Sequence, residues 1–131
     1  MIFIDSNIPM YLVGGEHPNK PVARRVLRAA IADGEILVTD AEVLQEILHR
    51  YATSDRHHLI GQAMSAVLDV VDEVFPMERA DVDGAWGIIR ATGLSARDAI
   101  HVAVMRRRGI DRIMSFDRGF DDVPGIVRIS G

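Results

Sequence analysis

The chain has 131 residues, of which 48% are apolar and 26% are charged, a composition typical of one folded globular domain and not of a disordered chain. It contains no cysteine, which excludes disulfides, thiolate metal sites and a cysteine nucleophile. The net charge of −4 argues against nucleic-acid binding through bulk electrostatics, and no apolar run is long enough for a membrane span or a signal peptide, so we expect a cytoplasmic protein.

Short apolar runs alternate with segments of helical period along the chain. The runs predict four or five strands, at residues 2–4, 36–38, about 70–75, 113–114 and 126–129. Apolar spacing predicts a short helix from about Ile8, and longer helices over 21–33, 44–51 and 59–68, through 82–89 and over 96–107. Strands that alternate with helices, and that read as continuous apolar runs, predict an α/β fold with a parallel sheet covered on both faces. We expect a single domain over 1–131.

Four acids fall where parallel strands of such a sheet end. Asp5 directly follows the first strand, Asp117 follows the strand at 113–114, and Asp98 lies in the first turn of the preceding helix. Glu46 lies about six residues into the helix after the second strand, roughly 9 Å along its axis. Because ligands bind outside the carboxyl ends of the strands, these four side chains are expected to meet at one edge of the sheet.

Crowded carboxylates repel one another, and a divalent cation removes that conflict. Oxygen ligands without cysteine favour Mg²⁺ or Mn²⁺ over zinc. Such a site suits displacement at phosphorus, in which Asp5, Asp98 and Asp117 hold one cation while Glu46 positions a second cation or the attacking water. The expected product carries a 5′-phosphate.

Each acid also has a simpler explanation. Asp5 could cap the short first helix, and Ser95 with Asp98 could form a capping box. Asp117 could be a turn residue, and Glu46 an exposed helix acid.

Glu42 lies on the same helical face as Glu46 and competes with it for the metal role. The stretch Thr39-Asp40-Ala41-Glu42 reads as a capping box, which would explain Glu42 without a metal. We therefore favour Glu46.

Four stretches carry a resemblance: IFIDSN, TDAEVLQEILHRY, LSARDAIHVAVMRRRG and IMSFDRGFDDVPGI. Together they cover the chain and resemble the PIN-domain ribonucleases, more narrowly the VapC-type toxins of bacterial toxin–antitoxin pairs. The resemblance implies a three-layer α/β/α sandwich that cuts RNA with Mg²⁺ or Mn²⁺. It implies a homodimer, or a complex with a VapB-type antitoxin that crosses the active site, and no membrane partner.

Carried over by position, the resemblance implies that Asp5, Glu46, Asp98 and Asp117 are catalytic and metal-binding. It implies supporting roles for the polar residues Asn7 and Ser115. Asp121 could join them, although a surface turn explains it as well.

Fourteen of the fifteen cations are arginines, with groups at Arg24, Arg25 and Arg28 and at 106–108 and 112. These are either solvated helix faces or, near a site rim, phosphate contacts.

For His49 and His101 we favour structural or supporting roles over a general base, and His57 and His58 look like exposed residues at a helix entry. The helix from 59 and the one before it could pack the core or receive an antitoxin helix.

Other classes remain as alternatives. A response-regulator receiver needs a lysine near the last strands, but the one lysine is Lys20, and a haloacid-dehalogenase-type phosphatase needs an acid where the chain has Asn7. A non-catalytic RNA- or protein-binding α/β domain, whose acids only cap helices, would bind no magnesium.

Overall fold

The computed structural model describes residues 1–130, and a parallel sheet of five strands forms its centre. In chain order the strands and helices are β1 (Ile2–Ile4), α1 (Asn7–Val13), α2 (Asn19–Ala32), β2 (Leu37–Asp40), α3 (Ala41–Ala52), α4 (Ile60–Leu68), β3 (Glu73–Phe75), α5 (Arg79–Thr92), α6 (Ala96–Arg107), β4 (Arg112–Met114) and β5 (Val127–Ile129). Two short 3₁₀ helices, His57–Leu59 and Arg118–Asp122, complete the described elements. The expected three-layer α/β/α architecture is confirmed.

The order of strands in the sheet is β3-β2-β1-β4-β5, with every neighbouring pair parallel. Phe3 of β1 is in register with Val38 of β2 on one side and Ile113 of β4 on the other. The chain therefore adds β2 and β3 on one side of β1, and then crosses to add β4 and β5 on the other side. Such a reversal opens a crevice at the carboxyl ends of the strands, which is where ligands bind in folds of this kind.

The core lies on the three middle strands. The apolar residues of β1, β2 and β4 are buried, whereas the edge strands β3 and β5 are partly exposed. Strands covered on both faces cannot alternate polar and apolar residues, which explains the continuous apolar runs in the sequence.

One strand bound differs from the prediction, and α5 has an arrangement that the sequence left open. β2 extends to Asp40, so the strand ends on a buried acid and not on Val38. In α5 the apolar positions Val82 and Trp86 are 48% and 65% exposed, while Ala85 and Ile88 face the core. Small residues of α5 face α6, where a Cβ added at Gly84 would lie 3.5 Å from Ala103 Cβ, while Val82 and Trp86 remain exposed.

Within residues 1–130, no helix combines the length and the apolar character needed to cross a membrane.

Candidate active site

All four predicted acids line one cavity of about 910 Å³ at the carboxyl edge of the sheet. Asp5 and Asp117 reach it from the ends of β1 and β4. Glu46 reaches it from α3, and Asp98 from the first turn of α6. Four segments that are distant in the sequence therefore bring carboxylates to the same place, as the strand-end rule predicts.

Asp5 is nearly buried, with 3% of its surface exposed, and polar groups hold both of its carboxylate oxygens. The Ser6 backbone N–H donates to Oδ1 at 2.8 Å, and the Ser115 hydroxyl donates to Oδ2 at 2.6 Å. Burial raises the pKa of Asp5, and these hydrogen bonds offset only part of that effect. Asp5 is not the N-cap of α1, because Ser6 occupies that position.

Ser115 and Asn7 connect the first and last acids. The Ser115 hydroxyl also accepts from the Asp117 backbone N–H at 3.0 Å and from Asn7 Nδ2 at 3.1 Å. Asn7 Nδ2 lies 3.3 Å from Asp5 Oδ2, and its Oδ1 accepts from the Phe116 backbone N–H at 3.3 Å. One polar network thus fixes the ends of β1 and β4 relative to each other.

Asp98 and Asp117 share the exposed side of the cluster. Burial, followed by a hydrogen bond with Asp117 and the nearby negative charges, raises the pKa of Asp98 to about 7. Ser95 caps α6 by accepting from the Asp98 backbone N–H at 3.3 Å, and Asp117 Oδ1 accepts from the Gly119 backbone N–H at 2.8 Å. The structure therefore shows the Ser95 half of the expected capping box and the expected turn at Asp117, and both acids also line the cavity.

Glu46 is held by a hydroxyl from the segment after β1. Its Oε1 accepts from Ser6 Oγ at 2.8 Å, and its Oε2 is buried with no hydrogen-bond partner among residues 1–130. A buried carboxylate oxygen without a donor costs free energy unless a cation or water meets it.

The capping box at 39–42 is wrong. Asp40 is the N-cap of α3 and accepts from the Val43 backbone N–H at 2.9 Å, while the Thr39 hydroxyl donates to the Ile4 carbonyl at 2.8 Å. Glu42 instead lies 3.4 Å from Arg97 Nε in an ion pair. The ion pair with Arg97, and not a capping box, therefore accounts for Glu42 without a metal.

Sequence reasoning missed Asp40, which supports His101 beside the cluster. His101 is fully buried, with Nδ1 2.8 Å from Asp40 Oδ2 and Nε2 3.8 Å from Asp5 Oδ1. Burial opposes the charged imidazolium, but the Asp40 hydrogen bond and the charges of Asp40, Asp5 and Asp98 together raise the pKa of His101 to about 9. The sequence carried a signal for the position of Asp40, which closely follows an apolar run as Asp5 does, but none for its contact with His101.

The arginine groups are not at the cavity. Arg107 pairs with Glu78 and Asp81 at 2.7 Å, and Arg112 forms a bidentate pair with Glu35. The cavity is instead lined by three scattered arginines, namely Arg50, Arg56 and Arg97.

Asp121 lies apart from the acids and pairs with Arg128 at 2.9 Å and 3.0 Å. The hydrogen bonding to Arg128, followed by the charge of that arginine, lowers the pKa of Asp121. Arg128 in turn donates to the Ser115 carbonyl at 3.1 Å, so Asp121 reaches the site network only through two other residues. His49, His57 and His58 are exposed, as expected for His57 and His58.

The donor set fits a divalent cation. The cluster presents carboxylates that cannot all be ionised at neutral pH without added positive charge, as the raised pKa of Asp98 indicates. It also holds two buried polar atoms without partners among residues 1–130, Glu46 Oε2 and His101 Nε2. Such atoms are available for coordination.

Comparisons with known proteins agree with this geometry. A family model described as PIN domain matches residues 2–126. The chain is 57% identical to Ribonuclease VapC13 of Mycobacterium tuberculosis over 131 residues, which cover 99% of this chain and 100% of that protein. It also resembles the crystal structure of the Mycobacterium tuberculosis toxin VapC20, described as cleaving the sarcin-ricin loop, with a TM-score of 0.80, 24% identity and complete coverage of both chains. A chain of the DNA-bound VapBC2 structure from Rickettsia felis matches with a TM-score of 0.74, 14% identity and 98% coverage of each chain.

Proposed function

We propose that this protein, which belongs to the PIN-domain family and within it to the VapC ribonucleases, is a metal-dependent endoribonuclease and the toxin of a toxin–antitoxin pair. The observation that carries the proposal is the convergence of Asp5, Glu46, Asp98 and Asp117 on one cavity. An acid that only capped a helix would have no reason to share this cavity with three others. The simplest unit for this activity is one PIN-like domain over 1–131.

Asp5, Asp98 and Asp117 are proposed to hold Mg²⁺ or Mn²⁺, with Glu46 beside them. Oxygen ligands from carboxylates are the type that both ions prefer. When bound, such an ion supplies positive charge to the phosphate oxygens and makes a nearby water easier to deprotonate.

The chain's own residues orient this chemistry. Ser115 and Asn7 hold Asp5, and the Ser6 hydroxyl occupies one oxygen of Glu46. The other oxygen, Glu46 Oε2, has no hydrogen-bond partner within residues 1–130 and is proposed to accept one from the attacking water. This water attacks phosphorus in line and gives its proton to Glu46. The bond to the 3′-oxygen breaks, that oxygen takes a proton from solvent, and the phosphate stays on the 5′ side of the downstream nucleotide.

The cavity rim suits single-stranded RNA. Arg50, Arg56 and Arg97 lie at the same opening as the acids and can neutralise flanking phosphates. Tyr11 also lines the opening and stacks on His17, with ring centroids 4.7 Å apart. Aromatic side chains of this kind stack on unpaired bases, which favours a loop or a single strand over a duplex.

A cognate antitoxin of the VapB type is the proposed partner. The comparison structure from Rickettsia felis is a VapB–VapC assembly, and this chain shares its fold over 98% of the length. A homodimer stays a prediction, for which α5 and α6 offer an apolar surface made of the exposed Trp86 and Val82 with the partly exposed Ile89 and Ile100. A cytoplasmic location likewise stays a prediction.

Replacement of Asp98 by Asn tests the enzyme assignment. Asn keeps the size of the side chain and removes its charge, so we expect metal-dependent RNA cleavage to fall by at least about 100-fold, beyond the range seen when a ligand's supporting residue is lost. The matched control is Asp33→Asn, which changes an exposed acid at the end of α2. Circular dichroism should show that both variants are folded.

Two outcomes would contradict the proposal. Full cleavage by Asp98→Asn would remove this residue from the reaction. Isothermal titration that detects no Mn²⁺ binding by the unchanged protein would favour the alternative, a non-catalytic RNA- or protein-binding domain.

A further inference from the structure

The imidazole of His101 lies beneath the acid cluster, and neither the capping of helices nor the proposed reaction uses it. Its side chain is fully buried between Asp40 and Asp5, and its ring centroid is 5.3 Å from that of Phe3. A buried polar ring in an apolar layer needs a reason, because an aliphatic side chain would pack there without a desolvation cost.

Asp40 determines which nitrogen of the His101 ring carries a proton. An ionised carboxylate only accepts hydrogen bonds, so the contact of 2.8 Å between Asp40 Oδ2 and His101 Nδ1 assigns a proton to Nδ1. Without a cation, the raised pKa of about 9 keeps a second proton on Nε2 at neutral pH. A bound cation takes the place of that proton, and Nε2 then presents a lone pair. That atom has no hydrogen-bond partner among residues 1–130, and its distance of 3.8 Å from Asp5 Oδ1 is too long for one.

The free nitrogen faces two of the four acids. Ligand atoms of Asp5, Asp98 and His101 all lie within 4.8 Å of one another. Ligands at about 2.1 Å from one cation are separated by roughly 3 to 4.2 Å, so small side-chain rotations suffice to surround an ion. The spacing therefore suits shared coordination better than a hydrogen bond.

We propose that His101 Nε2 is a nitrogen ligand of the divalent cation, and that Asp40 is the positioning residue that orients it. The proposal rests on the proposed function, since it assumes that the acid cluster binds a cation. It adds a ligand of a different chemical type from the four acids. A carboxylate that accepts from the second nitrogen of a metal-bound histidine is a recurrent arrangement in metalloproteins.

A nitrogen ligand has a consequence for metal choice. Mg²⁺ binds oxygen almost exclusively, whereas imidazole suits transition metals and stabilises Mn²⁺ more than Mg²⁺. The site is therefore expected to select Mn²⁺ over Mg²⁺ when both are available, and this selectivity depends on His101.

Electron spin-echo spectroscopy of the Mn²⁺-loaded full chain tests the ligand directly. We expect modulation from a coordinated ¹⁴N nucleus, replaced by the ¹⁵N pattern when the protein is made with ¹⁵N-labelled histidine. The signal should vanish in His101→Gln. It should persist in His17→Gln, which removes the histidine that lines the cavity.

Isothermal titration with MnCl₂ and MgCl₂ gives a second readout. His101→Gln and Asp40→Asn should each weaken Mn²⁺ binding by about 10–100-fold, and His101→Gln should reduce the ratio of Mn²⁺ to Mg²⁺ affinity by about tenfold or more. If His101→Gln fails to fold, the unchanged protein and His17→Gln, each made with ¹⁵N-labelled histidine, still show whether a histidine other than His17 coordinates Mn²⁺.

Failure of the ligand proposal can be distinguished from failure of the proposed function. Mn²⁺ binding without nitrogen modulation, or modulation lost in His17→Gln and kept in His101→Gln, would overturn the ligand proposal and leave the proposed enzyme intact. His101 would then be an internal charge partner of Asp5. An unchanged protein that binds no Mn²⁺ at all would overturn both.

Discussion

His101 Nδ1 lies 2.8 Å from Asp40 Oδ2, although 61 positions separate the two residues. The other oxygen of Asp40 caps α3 through the Val43 backbone N–H. One carboxylate therefore connects the start of α3, which carries Glu46, to the first half of α6, which carries Asp98. Asp40 holds these two helices in a fixed relation at the end of β2, which is what a site shared between them requires.

The two tasks of Asp40 can be separated by a pair of substitutions. Asp40→Asn keeps an oxygen for the cap but removes the charge opposite His101, and we expect it to lower the free energy of unfolding by about 3 kcal/mol, as for a broken buried ion pair. Asp40→Ala also removes the cap and should cost about 1 kcal/mol more. Urea denaturation measures both. Equal stability of Asp40→Asn and the unchanged protein would show that no charge pair exists.

The stability of the metal-free protein should depend on pH through Asp98. Its pKa is raised to about 7 in the folded state from an ordinary value of 3.8, so the folded protein binds the proton more tightly than the unfolded chain does. This contribution is fully present below about pH 3.8 and is lost as pH rises through 7. Compared with Asp98→Asn, the unchanged protein should lose stability between pH 4 and 7, measured by urea denaturation in EDTA. Parallel curves for the two proteins would contradict the raised pKa.

The acid cluster was predictable because it follows from two short-range facts. A carboxylate directly after an apolar strand must lie at the carboxyl edge of the sheet, which located Asp5 and Asp117. Helical spacing then located Glu46 and Asp98 relative to the starts of α3 and α6. Neither step needed knowledge of how the helices pack.

The pairing of Asp40 with His101 was not predictable in the same way. It depends on which face of α6 turns toward the end of β2, and that is decided by tertiary packing. The apolar spacing of α6 carries little information on this point, because residues 99 and 101–105 of this helix are all buried. The exposure of Trp86 was left open for a related reason, since helical periodicity identifies an apolar face without identifying what covers it.

The Ser6 hydroxyl should matter for turnover through Glu46. Ser6→Ala removes the hydrogen bond of 2.8 Å to Glu46 Oε1 and leaves that carboxylate free to rotate, so we expect kcat to fall by about 10–100-fold with little change in KM. Steady-state cleavage of a labelled RNA measures both constants. Ser65→Ala, which alters an exposed hydroxyl on α4, is the control. A change confined to KM would instead indicate that Ser6 contacts the RNA.

Arg50 should contribute a phosphate contact at the cavity rim. Arg50→Ala is expected to raise KM and to make the dependence of log KM on log salt shallower by about 0.7, the value for one phosphate of a single strand. Arg25→Ala removes an equally charged, exposed side chain on α2, outside the cavity, and should leave this slope unchanged. Equal effects of the two variants would show that only the total charge of the protein matters.

The antitoxin is expected to cover α3 and α4. These helices expose Leu48 and Leu68 by 47% and 44%, and α3 also carries Arg50 and Tyr51 to the cavity, so a helix bound there would continue across the site. Hydrogen exchange should therefore show added protection at residues 44–71 in the complex with the cognate antitoxin. Residues 79–92 of α5, which do not line the cavity, serve as the internal reference. No added protection at 44–71 would exclude this docking surface, because burial of these helices must slow the exchange of their outer amides.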